Sequence, residues 1–385
     1  MSNIVTLDSF LREISEKTTV NDQYPVLTSS KSGLYLQSDY FNKQVASKDN
    51  TGYKIIQRGQ FTYRAMSDTG EFFPNMLECT DIGIVSPAYP VFEITKPDMI
   101  LPEYLKYFFK SDVFQYSIAS FAQGSTRTSV KFGKLKTVSI NLPSIDEQNT
   151  IVDLLDRAAK LIQLRREETQ ELDDLIKARF VEMFGDPLSG TDKWPIHTVG
   201  DVAESIDPQP SHRTPPVDEA GIPYVSIKDC DYKTGVIDFE NARKVGRNVL
   251  EEHLQRYEVH DGDFIIGKIG TIGNPIFVPA RKDYTLSANI VLIQPDKKKV
   301  SPYFLKYSFM SAYMDRQFEE AKNSTSQAAF GIQKVRAIKV MNPSIDIQYQ
   351  FEAFAKQVDK SKVVVQKALD EAQLLFDSLM QKYFG

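Results

Sequence analysis

The phrase LPSIDEQ, residues 142–148, returns as NPSIDIQ at 342–348. At this offset of 200, Pro143, Ser144, Ile145, Asp146 and Gln148 match Pro343, Ser344, Ile345, Asp346 and Gln348. Farther on, Lys160, Glu171, Leu175, Phe184 and Gly185 match Lys360, Glu371, Leu375, Phe384 and Gly385. These ten identities span 43 positions. Unrelated sequence gives about two or three, so the match marks a duplicated architectural unit. Upstream, PEYLKYFFKS (102–111) faces PYFLKYSFMS (302–311) with six identities in ten, and GYKIIQRGQFTY (52–63) echoes RYEVHDGDFIIG (256–267). The chain therefore reads as two copies of one unit, each a variable region followed by a better-matched tail.

The tails read as helices over 145–184 and 345–384. Pro143 stops the preceding segment, and Ser144 with Glu147 forms an S-x-x-E capping box. Ser344 can cap likewise, but Ile347 cannot reach back, so the second cap is half as good. Apolar residues recur at three and four: Ile151, Leu154, Leu155, Ala158, Leu161, Ile162, Leu172, Leu175, Ile176 and Met183 in the first tail. The second gives Phe351, Phe354, Val358, Val365, Ala368, Ala372, Leu375, Leu379 and Tyr383. Gly185 and Gly385 follow as C-terminal stops. At 1.5 Å per residue each helix is about 60 Å long. A lone helix would leave its stripe bare, so the two are expected to pair antiparallel as a coiled coil, with Leu175 and Leu375 in the packed stripes and the chain ends close together. The polar break RREETQE at 165–171, with Arg165, Arg166, Glu168 and Gln170, reads either as a solvated stretch or as a docking face for another protein.

The variable regions have a different texture. Short β-type runs (YKII, IGIV, PVFEI, YVSI, DFII, NIVLIQ) lie between Gly, Pro and Asn turns, and each region closes with a helical stretch, 102–119 or 302–320. The expected class is α+β, with domains at 1–141 and 187–341, helical segments at 142–186 and 342–385, and the linker MFGDPLSGTDKWPIH (183–197) between copies.

Charge follows this division. The chain carries 46 Lys and Arg against 51 Asp and Glu, a net charge of −5. The first tail is net −5 and the second −1, while the variable regions are net +1 and 0. Basic residues gather in loops, Arg127, Lys131, Lys134 and Lys136 in one, Lys334, Arg336 and Lys339 in another. Two distant cysteines and four histidines without metal-type spacing argue against a disulfide framework or a structural zinc site. The N-terminus lacks a basic-then-apolar signal and the chain lacks a membrane-length apolar run, so a cytoplasmic protein is expected.

Motifs for chemistry fail one by one. GDFIIGKI (262–269) fits G-x-x-x-x-G-K but then places Ile269 where a phosphate-binding loop needs Ser or Thr. GKIGTIG is not G-x-G-x-x-G. RTPPVDE (213–219) has no Asp or Asn before its prolines and no aromatic after them, so it is not the catalytic loop of an adenine methyltransferase. No Ser/His/Asp set or carboxylate pair stands out. The chain reads as built for binding.

Two variable domains, each followed by a long helix introduced by PSID-x-Q, resemble the specificity subunit of Type I restriction–modification systems. Supporting phrases are GIPYVSIKD (221–229), DGDFIIGKIGTIGN (261–274), SPAYPVFEI (86–94), QGSTRTSVKFGKLKTVSINLPSIDEQ (123–148) and WPIHTVGDVAE (194–204). The first half has no counterpart of Trp194, and NPSIDIQ lacks the Glu of its partner phrase. The resemblance implies two target recognition domains in a pseudo-twofold cyclic arrangement, each reading one half of a bipartite DNA target, with the helices as spacer. It implies two methyltransferase subunits carrying S-adenosylmethionine, a possible ATP- and Mg-dependent restriction subunit, and no catalysis in this chain. A fused restriction–methylation system, a methylation-only system and a coiled-coil scaffold without a DNA role are the alternatives. Arg, Lys, Asn and Gln usually read base edges, while Ser, Thr and Lys hold phosphates. The candidate DNA-contacting residues are Ser30, Lys31, Gln37, Arg64, Arg127 and Lys131 in the first domain, and Lys228, Lys268, Asn274, Asn289 and Gln327 in the second.

Overall fold

The fold was determined as a computed structural model. It describes residues 4–40, 49–121, 128–186, 193–232, 234–268, 273–323 and 331–385, apart from the side chains at 40 and 321–323. The chain divides into two compact units, 1–166 with 367–385, and 167–366. Each unit thus combines one variable region with parts of both long helices, Ile145–Phe184 and Ile345–Phe384.

The helix starts follow from local chemistry. The Glu147 amide donates to Ser144 Oγ at 3.3 Å, and Glu147 Oε2 accepts from the Ser144 amide at 3.0 Å, closing the capping box. At Ser344 the first turn closes through the backbone instead, the Ser344 carbonyl accepting from the Ile347 and Gln348 amides at 3.1 and 3.3 Å. Gly185, at φ 81°, ends the first helix in a conformation that favours glycine, and Trp194 Nε1 donates to the Phe184 carbonyl at 3.0 Å.

The repeated glutamine serves a different purpose. Gln148 and Gln348 are fully buried. Gln148 Oε1 accepts from the Leu101 amide at 2.9 Å, and its Nε2 donates to the Met99 and Pro143 carbonyls, both at 2.9 Å. Gln348 Oε1 accepts from the Ser301 amide at 2.8 Å, and its Nε2 donates to the Pro343 carbonyl at 2.8 Å and Asn342 Oδ1 at 2.9 Å. Each amide therefore staples the start of a long helix to the start of the short helix Pro102–Phe108 or Pro302–Phe309.

Burial along both long helices follows one 4-3 spacing. Residues 351, 355, 358, 362, 365, 369, 372, 376, 379 and 383 are buried or half-buried, and so are 151, 155, 158, 162, 165, 169, 172, 176, 179 and 183. The seam falls on the same positions of the two copies, as a heptad pattern requires. In the first unit Ile151, Val152 and Leu155 share a core with Phe376, Leu379 and Phe384. In the second, Ile176, Phe180 and Phe184 share one with Phe351, Ala355 and Val358. The start of each helix lies beside the end of the other, so the pairing is antiparallel. Six expected stripe residues lie off this seam: Phe354 and Ala368 are half-buried, while Leu154, Leu161, Leu175 and Leu375 are 36%, 45%, 47% and 49% exposed. At 100° per residue they sit roughly a quarter-turn from the seam. Apolar spacing alone admits both faces, and the structure covers the 4-3 positions shared by the two helices.

In the first unit a four-stranded antiparallel sheet runs in the order Leu11–Ile14, Val91–Ile94, Phe61–Thr62, Asn75–Met76. In the second the order is Ala203–Ile206, Ile290–Pro295, Phe264–Gly267, Ile276–Phe277. Phe61 aligns with Phe92 and Met76 as Phe264 aligns with Ile293 and Phe277, so the sheets correspond. A separate pair of strands ties each variable region's ends together, Ile4–Thr6 with Ser139–Asn141 and Ile196–Thr198 with Lys339–Met341. Aromatic contacts fasten the helix ends, Tyr104 on Phe384 at 4.9 Å and Phe304 on Phe184 at 4.6 Å between centroids. Val5 and Phe384, from the two ends of the chain, belong to one core.

Two stability predictions follow from this packing. Ile176→Ala should cost about 2–5 kcal/mol, because it empties a fully buried seam position, whereas Leu175→Ala should stay within about 0.5 kcal/mol. Urea melts of both variants check the seam, and equal losses would place it elsewhere. Gln148→Leu leaves buried backbone groups at Leu101 and Met99 without their partner and should cost at least about 1–3 kcal/mol. An unchanged melting midpoint would show that the staple carries no stability.

Candidate DNA interface

In the second unit the sheet strands converge at one end. Ile206 closes one strand, Gly267 another, and Ile290 opens the strand between them. Lys268 follows Gly267, and its amide donates to the Asn289 carbonyl at 2.9 Å. Its side chain is 5% exposed, with Nζ 2.6 Å from Asp207 Oδ2 and donating to the Ala288 carbonyl at 3.0 Å. Asn289 is half-buried, and its Oδ1 accepts from Ser287 Oγ. Strand Ile222–Val225 reaches the same end, since the Ser287 amide donates to the Val225 carbonyl at 2.8 Å. Lys228 then stands exposed on the short helix Ile227–Asp229, and Asn274 is exposed.

The first unit repeats this layout. Val26 bridges Ile84 in parallel, as Tyr224 pairs with Thr285. Counting four residues onward from Val26 and Tyr224 reaches Ser30 and Lys228, two candidates found independently in sequence. Ser30 and Lys31 form the turn between Leu27–Ser29 and Leu34–Leu36. Asn75 Nδ2 pins that turn, donating to Ser29 Oγ at 3.0 Å and the Ser30 carbonyl at 2.8 Å. Lys31 is exposed, paired with Glu71 at 2.9 Å and lying over Phe73 at 5.1 Å. Arg64, at the position of Gly267, is exposed and 3.6 Å from Asp68. Gln37 opens the helix Gln37–Tyr40, half-buried, and Lys131 is exposed before Phe132–Leu135.

The structure thus brings Lys228, Lys268 and Asn289 to one sheet end, and Ser30, Lys31 and Arg64 to its counterpart. Lys268 departs from the expected role. Its ammonium is enclosed and neutralised by Asp207, so it braces the loop after Ile206 and does not present a charge to solvent. Arg127 and Gln327 lie outside the described residues. On the first long helix, Arg165 and Glu168 are half-buried while Arg166 and Gln170 are exposed, Gln170 Nε2 donating to Asp174 at 3.1 Å. Sequence reading missed Asp207, Gln209 and His253, which support the second sheet end. The four-residue spacing of buried Val249 and His253 was the only local signal of that burial. Burial pushes the His253 imidazole below its ordinary value, favouring the neutral ring. Among the described residues no group of three His, Cys, Asp or Glu could hold a metal ion, and no helix is long and apolar enough to cross a membrane.

Comparisons with known proteins agree with this layout. The Type I restriction modification DNA specificity domain family matches residues 6–174 and again 192–372. The "Type I restriction enzyme EcoBI specificity subunit" of Escherichia coli is 23% identical over 165 residues, 41% of this chain and 34% of that protein's length. The chain therefore aligns with about a third of that relative. A "Putative type I restriction enzyme specificity subunit" of Haemophilus influenzae is 22% identical over 268 residues, 68% of this chain and 66% of the relative. The Type I restriction–modification S subunit from M. genitalium shares the fold with a TM-score of 0.58 at 14% identity, covering 100% of this chain and 96% of that one. With two matched domains spanning most of its length, on two sheets of one topology, the chain belongs to the Type I restriction–modification DNA specificity family.

Proposed function

We propose that this chain is the DNA-recognition subunit of a Type I restriction–modification complex, each unit reading one half of an asymmetric bipartite target. The observation that carries this reading is the equivalence of Ser30 and Lys228. Two sheets of one topology offer different side chains at one position, as two readers of different half-sites would. The helices would act as a spacer, since equivalent groove faces recur about every ten base pairs. The candidate base or phosphate contacts are Ser30, Lys31, Gln37, Arg64, Arg127 and Lys131 in the first unit and Lys228, Asn274, Asn289 and Gln327 in the second, with Lys268 as a brace.

Chemistry would come from partners: two methyltransferase subunits with S-adenosylmethionine, joined in restriction by an ATP- and Mg-dependent subunit. The exposed apolar residues beside the seam favour two equivalent docking positions. The first unit exposes Leu164 and Leu375, and the second exposes Leu175 and Val364, the same two positions of the repeat. Lone exposed leucines are ordinary, but a set matched between the two copies suits an interface. Arg165, Arg166, Glu168 and Gln170 would then lie at the polar edge of that contact.

Two measurements test this reading. Replacing Leu175 and Leu375 together by Glu should leave the melting curve unchanged, because both are about half exposed, yet abolish co-purification with the methyltransferase. Unimpaired co-purification would move the docking surface elsewhere. Alone, the chain should bind DNA weakly, since its variable regions are near neutral and most non-specific affinity comes from phosphate neutralisation. The assembled complex should bind a bipartite target tightly and with steep salt dependence. Tight, salt-resistant, sequence-specific binding by the isolated chain would contradict the division of labour.

A further inference from the structure

The loop after Ala203–Ile206, residues 207–216, is anchored on both legs. Asp207 Oδ2 is 2.6 Å from buried Lys268 Nζ, and Arg243 Nη2 donates to the Pro215 carbonyl at 2.8 Å. Between the anchors, Gln209 is 7% exposed and its Nε2 donates to Ser211 Oγ at 2.9 Å and to the Arg213 carbonyl at 3.2 Å. A carbonyl only accepts, so the amide oxygen of Gln209 faces the other way, onto Nε2 of His253. His253 is 1% exposed. Gln209 Oε1 has no proton, so His253 Nε2 donates, and Nδ1 accepts from Thr285 Oγ1 at 2.6 Å. Thr285 Oγ1 is 3.0 Å from Tyr257 Oη, which accepts from the Leu286 amide at 3.3 Å. This chain of bonds fixes neutral His253 in one tautomer and ties Gln209 to the core.

The tip held by this chain faces outward. Ser211, His212, Arg213 and Thr214 are exposed. His212, at φ 51°, takes a left-handed conformation that non-glycine residues avoid. The Arg213 guanidinium has no hydrogen-bond or ion-pair partner among the described residues. A buried scaffold holding an unpaired, exposed arginine at the sheet end that also carries Lys228 and Asn289 is the arrangement a preorganised contact requires. All four histidines lie in the second unit, so the first unit cannot repeat this device.

We propose that the turn Gln209–Arg213 is a DNA-contacting element of the second unit, with Arg213 as the contacting side chain and Gln209 and His253 as positioning residues. The assignment rests on the DNA-recognition reading and adds to it a turn that carries no recognisable motif.

The test uses the full chain assembled with its methyltransferase partner. Methylated adenines are mapped by single-molecule sequencing, and affinity for the mapped duplex is measured at several salt concentrations. Arg213→Ala removes an exposed side chain and should weaken binding at least about tenfold. Gln209→Glu keeps an acceptor for His253 but cannot donate to Ser211 or Arg213, so it should shift binding in the same direction with assembly intact. If Arg213 meets a base edge, the motif degenerates in one half-site only. If it meets a phosphate, affinity falls for all sequences and the salt slope flattens by about one. Either pattern supports the contact. Wild-type affinity and motif in both variants would overturn it while leaving the subunit's function standing. A wild-type complex that binds no DNA would overturn the function and this contact with it.

Discussion

The buried amides of Gln148 and Gln348 hold each variable region to its long helix. A side-chain amide offers one acceptor and two donor hydrogens, and both residues use all three kinds of site on backbone or side-chain groups that would otherwise be enclosed without partners. Shortening the side chain, or replacing the amide with a carboxylate, would leave at least one of these groups unpaired. This explains why the repeated phrase ends in Gln while the residue before it is free to change from Glu147 to Ile347. Glu147 caps a helix at the surface, where water can substitute, and Gln148 is fully enclosed.

With that junction fixed, each short helix meets the end of the other long helix through a matching aromatic contact. Tyr104 rests on Phe384 and Phe304 on Phe184. The two units are therefore built alike from crossed pieces of chain, and the 4-3 seam carries the same positions in both. The seam is not uniformly apolar. Lys362 occupies it in the second unit and pairs with Asp173 at 2.5 Å, where the first copy has Ile162. A partly buried ion pair adds less stability than a packed apolar residue, but it penalises pairings that would leave either charge alone.

The sheet ends show how one scaffold carries two different sets of side chains. Strand order, register and the crossing parallel pair are shared, while the side chains at equivalent positions differ: Ser30 against Lys228, Arg64 against Gly267. Lys228 and Arg64 are exposed, where substitution disturbs little packing. The second unit has gone further by enclosing Lys268, Gln209 and His253, with half-buried Asp207, at the root of its loop, a polar layer that costs desolvation and is tolerated because its members satisfy one another.

The sequence by itself determined the duplication, both helix spans with their caps, the α+β texture of the variable regions and the family. Repeats, capping boxes and helical periodicity are local or linear patterns, so they survive without coordinates. Tertiary structure alone decided which apolar face is covered, because Leu175 and Ile176 are equally apolar neighbours and only the partner helix chooses between them. It also decided the role of Lys268, which looks like any basic loop residue until Asp207, 61 positions away in the chain, closes on it. The turn Gln209–Arg213 was illegible for the same reason. Its order comes from His253 and Thr285, residues far along the chain that meet it only when the domain folds.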